Sequence, residues 1–140
     1  MQFTGWDIID IKVNLKYNKM GDFRDLKVFS LSYKLAMEIF YISKGFPKEE
    51  KYSLTDQIRR SSRSVPVNIA ESYRKRRYPK HFVSKLSDSD SELAETIVWL
   101  DFSKDCEYIT REEYFYFIEK YEEVGRLLGG MMNKPEKFLI

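Results

Sequence analysis

Residues 57–71 read QIRRSSRSVPVNIAE, and this stretch decides the fold. It follows a helical period, yet it carries a proline, Pro66, in its interior. Apolar residues recur at helical spacing, and a polar stripe runs beside them. The apolar members are Leu54, Ile58, Val65 and Ile69, and the polar members are Arg60, Ser64, Asn68 and Glu71. Charges and amides next to a buried face need partners on a second helix or on a ligand.

The composition indicates one globular domain. Of 140 residues, 43% are hydrophobic and 16% aromatic, which is ample for a sizeable core. No stretch approaches the ~18 apolar residues of a membrane span, and Asp7 and Asp10 interrupt the place of a signal peptide's apolar run. The one cysteine, Cys106, excludes a disulfide framework, and with one histidine it leaves too few ligands for a Cys/His zinc site. A cytoplasmic protein without metal or cofactor is expected.

The charge is strongly polarised along the chain. Residues 51–85 contain 10 Lys or Arg against 2 acids, a net of +8, whereas residues 86–123 contain 12 acids against 3 bases, a net of −9. This asymmetry suits nucleic-acid binding, and it equally suits pairing between neighbouring helices or subunits.

Apolar periodicity and capping residues predict four helices. The first spans residues 26–43, the second 54–74 with Ser53 as its N-cap, the third 79–106 opening at Pro79, and the fourth follows the capping box of Thr110 and Glu113 to about Met131. Short links favour antiparallel neighbours, so the sequence predicts an all-α, antiparallel up-down-up-down four-helix bundle over residues 22–132.

The remaining segments fall outside the bundle. In the first 19 residues, apolar and polar side chains alternate with the period of a strand, which has no partner in a helical bundle. Residues 1–21 are therefore predicted to form an amino-terminal extension, either an arm that docks elsewhere or a stretch upstream of a natural start at Met20. Residues 133–140 form a carboxy-terminal tail.

Several motifs together resemble a known family. They are DFRDLKVF at residues 22–29, GFP at 45–47, EKYSL at 50–54, the stretch 57–71, and SEL with Glu95 on the third helix. In this order they resemble the bacterial four-helix-bundle proteins known as 23S rRNA intervening-sequence, or S23-type, proteins. The resemblance covers residues 22–128. It implies a bundle that self-associates into a ring, commonly a pentamer, and a likeness to the accessory protein of diversity-generating retroelements, which binds nucleic acid and a reverse transcriptase.

The chain departs from the family pattern at two places. Ser72 stands where the family usually has glycine, which would let the second helix run further. Residues 88–91, DSDS, replace an Ala-x-Gly-Ser run and add carboxylates to the third helix. The second change makes its surface less basic than a nucleic-acid binder would favour.

The polar stripe is interpreted as a structural network. If the second and third helices form a hairpin, registry places Arg60 near Glu92 or Glu95, and Asn68 near Ser84 or Asp88. The full predicted network is Arg60, Ser64, Asn68, Glu71, Ser91, Glu92 and Glu95. A ligand site is the alternative.

The hairpin tip, residues 74–81, has the sequence RKRRYPKH and is the candidate nucleic-acid contact. Its residues Arg74, Lys75, Arg76, Arg77, Lys80 and His81 would neutralise phosphates while Tyr78 stacks on a base. Such point charges predict sequence-tolerant binding. The competing interpretation is a merely solvated loop.

Two other function classes compete with nucleic-acid binding. Arg76 and His81 satisfy the Arg-x4–6-His spacing of HEPN ribonucleases. No pair of a nucleophile with a general base and no metal-binding carboxylate cluster supports catalysis, so no catalytic residue and no enzyme is predicted. A purely structural assembly protein is the other alternative, because aromatic residues such as Tyr41 and Phe115 point in more directions than one core stripe absorbs.

Overall fold

The chain folds into the predicted all-α bundle. The computed structural model describes residues 22–140, so the predicted extension over residues 1–21 lies outside the described residues. The four helices are α1 (Lys27–Ser43), α2 (Leu54–Arg74), α3 (Pro79–Asp105) and α4 (Arg111–Asn133), with short 3-10 turns at Phe23–Asp25, Lys48–Glu50 and Pro135–Lys137. Sequential helices pack on each other and α1 also packs on α4, which closes the bundle. The described residues contain no strand, and none of their helices is long and apolar enough to cross a membrane.

One predicted helix start is right in position but wrong in mechanism. Helix α2 begins at Leu54, yet the Ser53 side chain makes no capping bond to it. The 3-10 turn Lys48–Glu50 instead brings Glu50 over the helix end, where its Oε1 accepts from the Ser53 hydroxyl at 2.6 Å and from the Leu54 amide at 3.5 Å. These contacts, the Ser53 bond first, lower the pKa of Glu50. A carboxylate also suits the positive end of the helix dipole better than a hydroxyl.

The turn between α3 and α4 is fixed at both ends. The capping box predicted for Thr110 and Glu113 is confirmed, with the two reciprocal bonds at 3.0 and 2.8 Å. Glu107 has a φ of 62°, and the amides of Glu107 and Tyr108 return to the carbonyls of Lys104 and Ser103. That pattern is a Schellman motif, which satisfies the last carbonyls of α3.

Apolar side chains from all four helices form one core. Its fully buried members include Leu35, Ile39, Ile58, Val65, Ile69, Phe82, Leu86, Phe117, Val124 and Leu128. The periodic apolar positions of the prediction supply most of this set. The carboxy-terminal segment joins it, because the Phe138 ring stacks on Phe82 with the ring centroids 6.1 Å apart.

A layer of buried hydroxyls lets α2 and α3 lie close together around Pro66. Thr96 donates to Ser61 at 2.8 Å, and Ser89 donates to the carbonyl of Val65 at 2.9 Å. Both bonds cross between the helices. The carbonyl that Pro66 leaves without its helical donor is that of Ser62, four residues earlier, and helix α2 nevertheless continues through the proline as one element.

A second polar group is buried between α1 and α4. Glu38 is 1% exposed, and one of its oxygens accepts from the Tyr116 hydroxyl at 2.9 Å. Tyr121 is fully buried nearby, and its hydroxyl has no hydrogen-bond partner within residues 22–140. Burial, and then the charge of Glu38, raises the pKa of the Tyr121 hydroxyl, which therefore stays protonated.

These two tyrosines are expected to respond oppositely to removal of the hydroxyl. Tyr116→Phe removes a donor from a buried carboxylate, so the free energy of unfolding should fall by about 1.5–3 kcal/mol. Tyr121→Phe removes a hydroxyl that has no partner within residues 22–140, so the free energy should stay the same or rise. Urea unfolding at matched chain concentration measures both, and equal decreases in the two variants would contradict the assignment.

Candidate nucleic-acid interface

The polar stripe lies along the seam between α2 and α3. The contact predicted for Arg60 is present: its Nη1 is 3.3 Å from Glu92 Oε2, and its Nη2 contacts Glu95 Oε2. Glu95 also accepts from the Trp99 indole at 3.1 Å. Because the Arg60 side chain is 45% exposed, this ion pair contributes little to stability and serves mainly to align the two helices.

The rest of the predicted network divides into separate contacts. The Asn68 side chain, expected near Ser84 or Asp88, donates its hydrogen bond to the carbonyl of Ser64 at 2.9 Å within its own helix. Ser64 likewise bonds back to the carbonyl of Arg60 at 2.9 Å. Small polar side chains in a helix often bond to the preceding turn in this way, so neither side chain needs a partner on α3.

A second ion pair crosses the seam nearer the tip. Lys85 Nζ on α3 lies 2.8 Å from Glu71 Oε2 on α2 and 3.9 Å from Asp88 Oδ2. Ser91, the remaining predicted member, is exposed on α3. The stripe is therefore a set of surface contacts, and the buried hydroxyl layer, which sequence reasoning did not identify, holds the two helices together from inside.

The hairpin tip stands at the end of the α2–α3 pair. Arg74 is the last residue of α2, the link is 75–78, and Pro79 opens α3. Most of its basic side chains are exposed, namely Arg74, Lys75, Arg77, Lys80 and His81. None of these five forms an ion pair with any carboxylate of residues 22–140. The tip thus carries uncompensated positive charge in solvent.

Two aromatic residues shape the tip differently. Tyr78 is 58% exposed, and its ring lies 5.9 Å from the His81 ring, so it presents a partly open face. Arg76, in contrast, is held inward. Its Nε donates to the carbonyl of Tyr73 at 2.9 Å, and its guanidinium lies 3.6 Å from the centre of the Tyr73 ring. Among the predicted phosphate-binding residues, Arg76 is therefore already bound within the protein, through the carbonyl and the ring of Tyr73.

The same geometry bears on the ribonuclease alternative. The His81 ring packs with Tyr78 and the Arg76 guanidinium with Tyr73, and no contact joins His81 to Arg76 among the interactions of the described residues. Within the same residues there is also no cluster of His, Cys, Asp and Glu suited to a metal ion. The tip therefore presents exposed basic side chains and the ring of Tyr78, without a contact within residues 22–140 that would join Arg76 and His81 into one site.

Comparison with known proteins identifies the family. The sequence model of the 23S rRNA-intervening sequence proteins matches residues 24–130. The fold is also similar to the crystal structure of a protein of unknown function from the S23 ribosomal protein family of Bacteroides thetaiotaomicron. That protein is 30% identical with a TM-score of 0.68, and the match covers 76% of this chain and 95% of the other. No curated protein matches the sequence. The chain belongs to the family of 23S rRNA-intervening sequence proteins.

Proposed function

We propose that this protein is a non-enzymatic, sequence-tolerant nucleic-acid-binding scaffold that contacts its ligand through the hairpin tip. The observation that supports the proposal is the group of exposed tip cations without carboxylate partners in residues 22–140, gathered around the exposed ring of Tyr78. Cations of this kind release counterions from a phosphate backbone, and an open ring stacks on any base.

The expected sequence tolerance follows from the chemistry of the tip. Lys and Arg side chains on a link between helices contact phosphates, which carry no sequence information. Helix insertion into a groove is not required for such contacts. The 23S rRNA-intervening sequence description of the family supports a link with nucleic acid. The resemblance to retroelement accessory proteins favours a reverse transcriptase as a protein partner, and the single cysteine favours a cytoplasmic setting.

Binding to several unrelated strands tests this proposal. Fluorescence anisotropy should give similar affinities, within about threefold, for labelled single-stranded RNA and DNA of equal length but different sequence, because phosphate contacts and stacking discriminate weakly. No binding at about 50 mM salt, where phosphate contacts are strongest, would contradict the proposal. RNA cleavage abolished by His81→Ala would contradict its non-enzymatic part.

We also propose that the chain forms a homo-oligomer, most simply the pentamer that the family resemblance implies. Exposed aromatic rings support it: Tyr41 on α1 is 47% exposed, Phe102 on α3 52% and Phe115 on α4 55%. Aromatic residues are enriched at subunit contacts. A ring would also bring several tips together and raise avidity.

Light scattering at micromolar concentration decides the oligomer. A multiple of the 16.8 kDa chain is expected, and a monomer would contradict the proposal. An oligomer that binds neither RNA nor DNA would instead favour the purely structural assembly protein.

A further inference from the structure

Three cations surround one aromatic ring on the α1–α2 face. Lys44 Nζ lies 4.8 Å from the centre of the Phe40 ring, and the guanidinium carbons of Arg59 and Arg63 lie 4.9 and 5.5 Å from it. Lys44 also lies 5.1 Å from the ring of Tyr41. We call Lys44, Arg59 and Arg63, together with Phe40, the Phe40 cluster. Neighbouring like charges repel each other, and an anion bound between them would relieve that repulsion.

Hydrogen bonds within the protein hold the Phe40 cluster in place. Arg59 Nε donates to the Ser43 hydroxyl at 2.7 Å, and that hydroxyl, on a residue only 2% exposed, donates in turn to the carbonyl of Phe40 at 3.0 Å. Burial, and then the charge of Arg63, lowers the pKa of Arg59, in keeping with a cation that lacks a nearby anion. No carboxylate within residues 22–140 forms an ion pair with Lys44, Arg59 or Arg63.

A groove adjoins the cluster on the same face. It has a volume of about 500 Å³, and its lining includes Arg63, Phe29, Tyr33 and Val67. The Phe29 and Tyr33 rings lie 5.7 Å apart and form an aromatic wall. Arg63 thus borders both the cluster and a mainly apolar space large enough for a planar base. Glu71 also lines this space, and its carboxylate is paired with Lys85 at 2.8 Å.

We propose that the Phe40 cluster binds a phosphate of a single-stranded nucleic acid, and that a neighbouring base enters the adjoining groove. The inference rests on the proposed function, and it adds a second contact surface to the hairpin tip. Guanidinium groups held against a ring keep their N–H edges free and lose little entropy on binding, so they suit a tetrahedral phosphate with several acceptor oxygens.

Helix geometry connects the cluster with the tip. Arg59, Arg63 and Arg74 stand on one face of α2, because their separations of 4 and 11 residues are close to whole turns. Arg59 and Arg74 are about 22 Å apart along the axis at 1.5 Å per residue. One strand of a few nucleotides can therefore contact both. An anionic membrane surface is the competing partner for such a cluster, and a measurement of binding to anionic vesicles separates it from a nucleic acid.

The test uses the two exposed members, so that the Arg59–Ser43 hydrogen bond stays intact. The variant is K44Q/R63Q, and the control is R111Q/R126Q, which removes two cations from α4. Affinity for a labelled 15-nucleotide single-stranded RNA is measured at about 0.1 M salt. Removing one phosphate contact should weaken binding about fivefold, so we expect affinity to fall about 25-fold in K44Q/R63Q and less than about twofold in the control. Equal affinities of the two variants overturn the inference.

A variant that leaves the net charge unchanged separates a specific phosphate site from general attraction between the basic protein surface and RNA. Phe40→Leu keeps every cation but removes the ring that holds them, and we expect it to weaken binding by about threefold to tenfold, as expected when one cation–π platform is removed. Unchanged affinity of Phe40→Leu overturns the inference. So does a K44Q/R63Q variant that still binds RNA as the parent does but has lost oligomer mass or binding to anionic vesicles. The variant R74E/R77E/K80E keeps the two proposals apart: if it alone loses binding, the tip proposal stands and this inference fails.

Discussion

Phe82→Ala is expected to lower the free energy of unfolding by about 3–5 kcal/mol, the usual cost of truncating a fully buried phenylalanine. Phe82 has no exposed surface, lies in the first turn of α3, and stacks on Phe138 of the carboxy-terminal segment. The substitution therefore opens a cavity where α3 meets that segment. Since domains of this size have about 5–15 kcal/mol of stability in total, a large share of it disappears.

Tyr78→Ala is the matched control for Phe82→Ala. It truncates an aromatic ring four residues earlier that is 58% exposed, so stability should change by less than about 0.5 kcal/mol. Chemical denaturation followed by circular dichroism, at one chain concentration, measures both variants. If Phe82→Ala is as stable as Tyr78→Ala, the core described around α3 is wrong.

Reversing the charge of three exposed cations of the hairpin tip should weaken nucleic-acid binding by about 100-fold at 0.1 M salt. The change removes three phosphate interactions, each of which contributes about 0.7 to the slope of log affinity against log salt concentration. The variant is R74E/R77E/K80E, which leaves out Arg76 because that side chain is bound to Tyr73. All three side chains are exposed and form no ion pair within residues 22–140. The bundle should remain folded, as solvated charges contribute little to its stability.

The control for the reversed tip is R111E/K120E/R126E, which changes net charge equally but on α4. Its affinity should fall much less, because only long-range attraction is altered and that attraction is screened beyond about 10 Å at 0.1 M salt. Equal decreases in both variants would mean that net charge alone governs binding and that the tip has no special role.

The helices were predictable because local signals agreed with the global fold. Periodic apolar residues, the start at Leu54 and the Thr110 capping box depend only on neighbours in sequence, and the structure contains all three. The pairing of Arg60 with Glu92 was also predictable, since a short link sets the register of two antiparallel helices.

Other features depend on contacts that sequence spacing does not reveal. Glu50 displaces Ser53 as the cap because an intervening 3-10 turn places it there. At the tip, spacing could not show that Tyr73 engages Arg76 while its neighbours stay free of ion pairs within residues 22–140. In the Phe40 cluster, Arg59 and Arg63 of α2 lie 19 and 23 positions after Phe40 of α1, so only the packing of the two helices brings them together.

The salt dependence of RNA binding tests the central claim most directly. Log affinity plotted against log salt concentration for one single-stranded RNA should be a straight line for the parent chain, and for R74E/R77E/K80E its slope should be shallower by about 2, because three phosphate interactions contribute about 0.7 each. That result would show that the tip itself neutralises phosphates. Parallel lines with the same affinity would contradict the account, because the tip would then be only a solvated loop.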